Sequence, residues 1–114
     1  MEKMVDVQLA LSTMNNLEFI LKKVYEEFLL NNKNLLLDLE SAISDDNKEA
    51  RRLVHSIKGI SINLGSKKMY QTSKDFEEIL LAEKEEEIKN MFPIFRECFQ
   101  NMYQEIDGYL KEMN

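Results

Sequence analysis

Hydrophobic residues recur along this chain at spacings of three and four, which is the period of an amphipathic α-helix. In residues 17–30 the apolar side chains stand at positions 17, 20, 21, 24 and 28, and most of the charged residues lie off that stripe. Near the end of the chain, apolar residues stand at 92, 95, 99, 102, 106, 110 and 113. The pattern therefore predicts an all-α protein whose last helix is long.

Residues that cap or interrupt helices divide the chain into six helical segments. The expected boundaries are Asp6, Asn15 with Asn16, Asn31 with Asn32, residues 44–47, Gly65 with Ser66, and the acidic run 83–87. Asp46 followed by Glu49 resembles a capping box at the start of the fourth segment. Pro93 lies inside the last apolar pattern, and it predicts either a kink or a helix start in residues 89–92.

The fourth segment contains His55, the single histidine of the chain, and has one apolar side. At ~100° per residue, one arc of about 120° holds its apolar residues and one serine: Leu53, Val54, Ile57, Ile60, Leu64 and Ser61. His55 lies about 160° from the centre of that arc. Its neighbours on the opposite surface are Arg51, Arg52, Lys58, Gly59 and Ile62. The helix therefore buries its apolar side and exposes His55 together with Ile62.

An exposed histidine among these neighbours suits transient phosphorylation of the imidazole ring. A neutral ring nitrogen can attack a phosphoryl group, and the resulting P–N bond is labile enough for onward transfer. Lys58, three residues after His55, could neutralise phosphoryl oxygens. Gly59 leaves room beside the ring for a second protein. A glycine inside a helix costs about 1 kcal/mol relative to alanine, so its presence calls for such a reason.

The turn after this helix predicts a second residue at the site. Gly65 can end the helix in a left-handed conformation, and Ser66 can cap the next one. If the two helices run antiparallel about residue 66, His55 and Glu77 are each 11 residues from the turn, or about 16 Å along the axis. Glu77 could then reach the imidazole ring.

A family resemblance rests on the same residues. His55-Ser56-Ile57-Lys58-Gly59, followed by Asn63-Leu64-Gly65, resembles the H-x-x-K-G-x-x-x-x-(apolar)-G signature of histidine-containing phosphotransfer (HPt) domains. The resemblance extends over nearly the whole chain, and Phe76-Glu77 is similar to an apolar-acidic pair of that family. It implies an antiparallel four-helix bundle in residues 16–114, preceded by a short helix in residues 1–14.

The resemblance also implies roles for individual residues. His55 would accept a phosphoryl group from a receiver-domain aspartate or a sensor kinase and pass it to the aspartate of a response regulator. Lys58 would stabilise the phosphoryl charge, Glu77 would hydrogen-bond the ring nitrogen that is not phosphorylated, and Gly59 would give clearance. Gly65 would serve the turn. The expected docking surface comprises Arg51, Arg52, Ser56 and Ile62.

Composition limits the alternatives. The 114 residues suffice for one domain. A formal net charge of −6 disfavours nucleic acid and membrane surfaces as partners. One histidine cannot supply a zinc or di-metal carboxylate site, and no segment resembles a nucleotide-binding loop. We therefore expect no cofactor in this chain, with Mg²⁺ on the partner receiver domain.

A reducing cytoplasm is the simplest setting, because one cysteine allows no intrachain disulfide. No apolar run approaches the ~20 residues that cross a bilayer. We also expect a monomer. Two alternatives stay open at this point. One is a helical adaptor that binds receiver or kinase domains without being phosphorylated. The other is an autonomous kinase, which would need an ATP-binding domain beyond these residues. Whether the chain stands alone or belongs to a hybrid sensor kinase is also open.

Overall fold

A computed structural model of the protein describes residues 3–113, and these form six α-helices and no strand. The helices are Val7–Ser12 (α1), Glu18–Asn31 (α2), Leu35–Asp45 (α3), Asn47–Leu64 (α4), Lys67–Leu81 (α5) and Glu85–Met113 (α6). The prediction of an all-α bundle is confirmed. Residues 16–113 of this bundle contain five helices, α2 to α6, because the turn at residues 32–34 separates α2 from α3.

Helix α4 lies at the centre of the packing. It contacts α5, α3 and α1, while α6 packs against α5 and α2. Short links join α3 to α4, α4 to α5 and α5 to α6, and the two helices of each pair pack against each other, as neighbours in an antiparallel bundle do. The largest completely buried side chains include Tyr25, Phe76, Phe95, Leu21 and Leu39. Among the helices described, none is both long and apolar enough to cross a membrane.

The predicted orientation of α4 is confirmed apart from one residue. Val54, Ile57, Ser61 and Leu64 are buried, as is Ala50, and Leu53 with Ile60 packs partly buried against the core. Ile62 was expected to be exposed with His55, but it is half-buried. The helical wheel assumed one packed side, whereas α4 contacts three other helices, so its covered surface is wider than the apolar arc.

The expected cap of α4 is present only in part. The Asp46 carboxylate accepts a hydrogen bond from the backbone N–H of Glu49 at 3.2 Å, as predicted. A full capping box also needs the Glu49 side chain to bond the backbone N–H of Asp46. That N–H instead donates to the Ala42 carbonyl of α3 at 2.7 Å, and Glu49 pairs with Arg52. Only Asp46 separates α3 from α4, so its N–H still bonds to α3 and is not available to the Glu49 side chain.

Pro93 does not start a helix. Helix α6 begins at Glu85, inside the predicted acidic run, and continues through Pro93, so the predicted helix start in residues 89–92 is wrong. Proline removes one backbone hydrogen bond from a helix interior. Buried residues on both sides of it, Ile88, Phe95 and Phe99, keep α6 against the core. Pro93 itself is exposed, so its ring disturbs no packing.

Gly65 makes the turn between α4 and α5 as tight as the sequence predicts. Its φ is +93°, in the left-handed region that favours glycine. Ser66 then caps α5, since its side chain accepts a hydrogen bond from the Met69 N–H at 3.0 Å. The buried Tyr25 hydroxyl of α2 donates to the Leu64 carbonyl at 2.9 Å, and burial raises the pKa of Tyr25 above its usual range. The end of α4 is therefore fixed by the capped start of α5 and by Tyr25 of α2.

The segment before α1 closes over this turn, a contact that no sequence pattern indicated. The Asp6 N–H donates to the Gly65 carbonyl at 2.8 Å. The backbone N–H groups of Met4 and Val5 donate to the Glu105 carboxylate of α6 at 2.7 and 3.0 Å. Both Met4 and Val5 are buried. The N-terminal segment thus links the α4–α5 turn to α6.

Gly65→Ala should destabilise the protein by about 1–3 kcal/mol, because left-handed backbone is strained for alanine. A Cβ there would also collide with the Asp6 carbonyl oxygen. The matched control is Gly108→Ala in α6, where a Cβ meets nothing within 4 Å. That change should stabilise by up to about 1 kcal/mol. Urea unfolding of both variants measures the difference, and equal stabilities would contradict this account of the turn.

Candidate functional site

His55 on α4 and Glu77 on α5 meet on the surface of the bundle. The His55 Nδ1 lies 2.6 Å from the Glu77 Oε2, although 22 residues separate them in the chain. This is the pair that the antiparallel register about the Gly65 turn brings to the same height. Phe76, next to Glu77, is completely buried and holds α5 in that register. The contact therefore follows from the turn and the packing together.

Lys58 approaches the same carboxylate from the other side. Its Nζ donates to the Glu77 Oε1 at 2.6 Å, so one carboxylate joins the lysine and the histidine. The sequence placed Lys58 beside the ring to face a phosphoryl group directly. In the structure it is tied to Glu77, and only 22% of its side chain is exposed. An ammonium carries three N–H donors, so two of them remain for another acceptor.

The charges of this group stabilise one another. Partial burial on its own would raise the pKa of Glu77, but the hydrogen bonds from Lys58 and His55 outweigh it and leave that pKa below the usual value. The hydrogen bond to Glu77 likewise raises the pKa of Lys58. At neutral pH Glu77 is thus an anion and Lys58 a cation. Their charges cancel locally beside the imidazole ring.

An ionised Glu77 determines the tautomer of the ring. A carboxylate can only accept hydrogen bonds, so the His55 Nδ1 must carry the proton that joins them. In a neutral imidazole the Nε2 then holds a free lone pair. The His55 side chain is 67% exposed, and the structure therefore presents Nε2 as an accessible nucleophile.

The two glycines of the signature have different surroundings. A Cβ at Gly59 would meet nothing within 4 Å, so the helix surface one turn after His55 is open. At Gly65 a Cβ would collide with Asp6, which lies in the N-terminal segment and not at the site. Gly59 thus leaves space next to the ring, whereas Gly65 acts on the site only through the turn.

A shallow surface depression surrounds the exposed side of His55. It is lined by Lys48, Arg51, Arg52, His55, Glu77, Glu78 and Leu81. Two of the four expected docking residues, Arg51 and Arg52, belong to it. The other two, Ser56 and Ile62, do not line it. The Ser56 hydroxyl donates to the Arg52 carbonyl at 3.1 Å, and Ile62 is half-buried on the last turn of α4.

Three residues of the depression were missed by the sequence analysis. Leu81, at the end of α5, is 64% exposed. It follows Glu77 by four residues, so helical spacing from the predicted orienting residue could have identified it. Lys48 precedes His55 by seven residues and shares its face. Glu78 had no comparable signal, since it is one of many acidic residues in the chain.

Comparison with known proteins shows the family of the chain. The family model described as Hpt domain matches residues 23–109, which is more than half of the chain. No curated protein and no solved structure shows significant similarity to it. The chain therefore belongs to the Hpt domain family, whose members take part in phosphotransfer in two-component signalling. Domains of this family act as phosphocarriers that lack an ATP site of their own.

Glu77→Ala should release the ring tautomer. Without the carboxylate, Nδ1 has no fixed acceptor, and the proton should redistribute toward Nε2. Because His55 is the single histidine, ¹⁵N-histidine labelling gives the signals of one ring. The chemical shifts of its two nitrogens in the neutral ring report the tautomer. Glu78→Ala, which removes the adjacent exposed carboxylate, is the control and should leave the shifts unchanged. Identical shifts in wild type and Glu77→Ala would refute the orienting contact.

Proposed function

We propose that this protein is a phosphorelay intermediate that carries a phosphoryl group on the Nε2 of His55. The observation that supports the proposal most strongly is the commitment of Nδ1 to Glu77, which leaves the lone pair of Nε2 exposed on the surface of α4. The family signature around it, with Lys58 and Gly59, supports the same role. The direction of phosphoryl flow stays open.

The transfer step needs only groups that this site and a receiver domain supply. The Nε2 lone pair attacks the phosphorus of an aspartyl phosphate, the new N–P bond forms, and the P–O bond to the aspartate breaks. The aspartate leaves as a carboxylate, while the Nδ1 proton stays hydrogen-bonded to Glu77 and stabilises the positive ring. The reverse step passes the group to the aspartate of a response regulator. The receiver domain would supply Mg²⁺.

Docking of the receiver domain would use the depression around His55. Leu81 offers apolar area, and Arg51 with Arg52 offers cationic groups that suit the acidic site of a phosphorylated receiver. Gly59 allows the partner to approach the ring. We place Ser56 and Ile62 at most on the periphery of this surface, since neither lines the depression.

The remaining features of the proposal follow from the family and the composition. A sensor kinase would be a second partner, and the chain itself would hold no cofactor. A monomer in a reducing cytoplasm fits the single cysteine, Cys98, which is buried.

Phosphorylated receiver domain should label the wild-type chain and should not label His55→Gln. The phosphoprotein should be labile in acid and stable in base, as a phosphohistidine is. The ring is largely exposed, so the variant should keep the circular dichroism and unfolding midpoint of the wild type.

Two results would contradict the proposal. Label on a folded His55→Gln chain would place the acceptor elsewhere. A folded wild-type chain that binds receiver domains but takes no label from any donor would be the helical adaptor instead.

A further inference from the structure

A hydrogen-bonded bridge next to the site fixes the orientation of Arg51. The Asn47 Nδ2 of α4 donates to the Leu80 carbonyl in the last turn of α5 at 3.0 Å. The Asn47 amide oxygen then faces the other way and accepts a hydrogen bond from the Arg51 Nε at 3.0 Å. The Asn47 side-chain amide is thus bonded to α5 through its nitrogen and to the Arg51 guanidinium through its oxygen. Neither the proposed carrier role nor the family signature uses Asn47.

Arg51 is placed one turn before His55 on the same face of α4. Four residues correspond to about 6 Å along a helix axis, and both side chains line the depression. The bond to Asn47 uses Nε and leaves the four N–H groups of the two terminal nitrogens. These form the edge of the guanidinium that binds a phosphoryl group through two parallel hydrogen bonds.

The other cations close to His55 are already paired. Lys58 is paired with Glu77 at 2.6 Å, and Arg52 is paired with Glu49. Within residues 3–113, no carboxylate lies within ion-pair distance of Arg51, so its charge is not neutralised in this way. Lys48 also lines the depression, but it is two turns from His55.

A phosphoryl group on His55 would need such a cation. It carries up to two negative charges and would lie beside the carboxylates of Glu77 and Glu78. The charge of Lys58 already offsets that of Glu77, so a further cation is needed to offset the charge of the phosphoryl group. We infer that Arg51 binds the phosphoryl oxygens of the group on the Nε2 of His55, and that Asn47 is a positioning residue that aims its guanidinium. This inference rests on the proposed function and gives Arg51, named there only for docking, a direct contact with the transferred group.

A small phosphoryl donor separates direct contact from docking, because it has no protein surface. Phosphoramidate serves this purpose. The Nε2 attacks its phosphorus, the N–P bond to His55 forms, the P–N bond of the donor breaks, and ammonia leaves with the proton that the donor nitrogen carried. The Nδ1 proton remains on the ring. A receiver domain charged with phosphate provides the parallel assay in which docking also contributes.

Arg51→Gln should lower the rate constant for labelling by phosphoramidate about tenfold or more, since it removes charged donors from the transferring group. Arg51→Lys should lose part of that rate, because a lysine keeps the charge but cannot form the same pair of bonds. The control is Lys23→Gln, which makes the same change in net charge at an exposed position of α2, outside the depression, and should stay within about twofold of wild type. The rate with phosphorylated receiver should fall in parallel for Arg51→Gln.

Asn47 is tested through Arg51. Asn47→Ala should slow labelling in the wild-type background and should have no further effect in Arg51→Gln, because a positioning residue acts only through the group that it positions. A merely structural role of Asn47 would slow both backgrounds equally. Urea unfolding of each variant confirms that the compared chains are folded.

Each other outcome is decisive. If wild type is labelled by phosphoramidate and Arg51→Gln is labelled equally fast, Arg51 does not contact the phosphoryl group. If Arg51→Gln is slow only with the receiver domain, Arg51 is a docking residue, which also overturns the inference. If folded wild type takes no label from either donor, the carrier function itself fails.

Discussion

The register between α4 and α5 is the constraint on which the site depends. His55 and Glu77 come from different helices, and a displacement of one residue along either axis is about 1.5 Å, enough to break a contact of 2.6 Å. Gly65 sets that register by reversing the chain in the left-handed conformation. The segment before α1 then secures the turn, since Asp6 bonds the Gly65 carbonyl. Gly65 thus determines the contact between His55 and Glu77 although it does not lie at the site.

The polar group formed by His55, Glu77 and Lys58 orients the imidazole ring and contributes little to stability. Ion pairs near the surface are worth about 0–1 kcal/mol each, and His55 is largely exposed. The stability of the bundle comes from its buried residues, among them the aromatic contacts of Phe76 with Phe95 and of Phe95 with Phe99. Function and stability are therefore separate on α4: its buried side holds the helix, and its exposed side is free for chemistry.

Much of the fold could be predicted because its signals are local. Apolar spacing gave the helices, and Asp46, Gly65 and Ser66 gave three of their ends. The helix start that Pro93 suggested is absent, because buried residues on both sides of the proline keep α6 packed against the core. The predicted exposure of Ile62 was wrong for a related reason, since the pattern of a single helix does not show how many neighbouring helices cover it.

The site was predictable only where two local signals combined. The turn and the spacing of His55 and Glu77 together predicted their contact. Three hydrogen bonds each join distant parts of the chain: Lys58 to Glu77, Asn47 to the Leu80 carbonyl, and the Met4 N–H to Glu105. Their pairing depends on side-chain geometry in the packed bundle, which no spacing along one helix specifies.

The central claim is that Glu77 holds the proton on Nδ1 and leaves Nε2 to carry the phosphoryl group. The most direct test is ¹⁵N and ³¹P NMR of the ¹⁵N-histidine-labelled, phosphorylated chain, in which all ring signals come from His55. The account predicts coupling of phosphorus to Nε2, with the proton retained on Nδ1. Coupling to Nδ1, or a phosphoprotein whose ring nitrogens show no coupling to phosphorus, would contradict it.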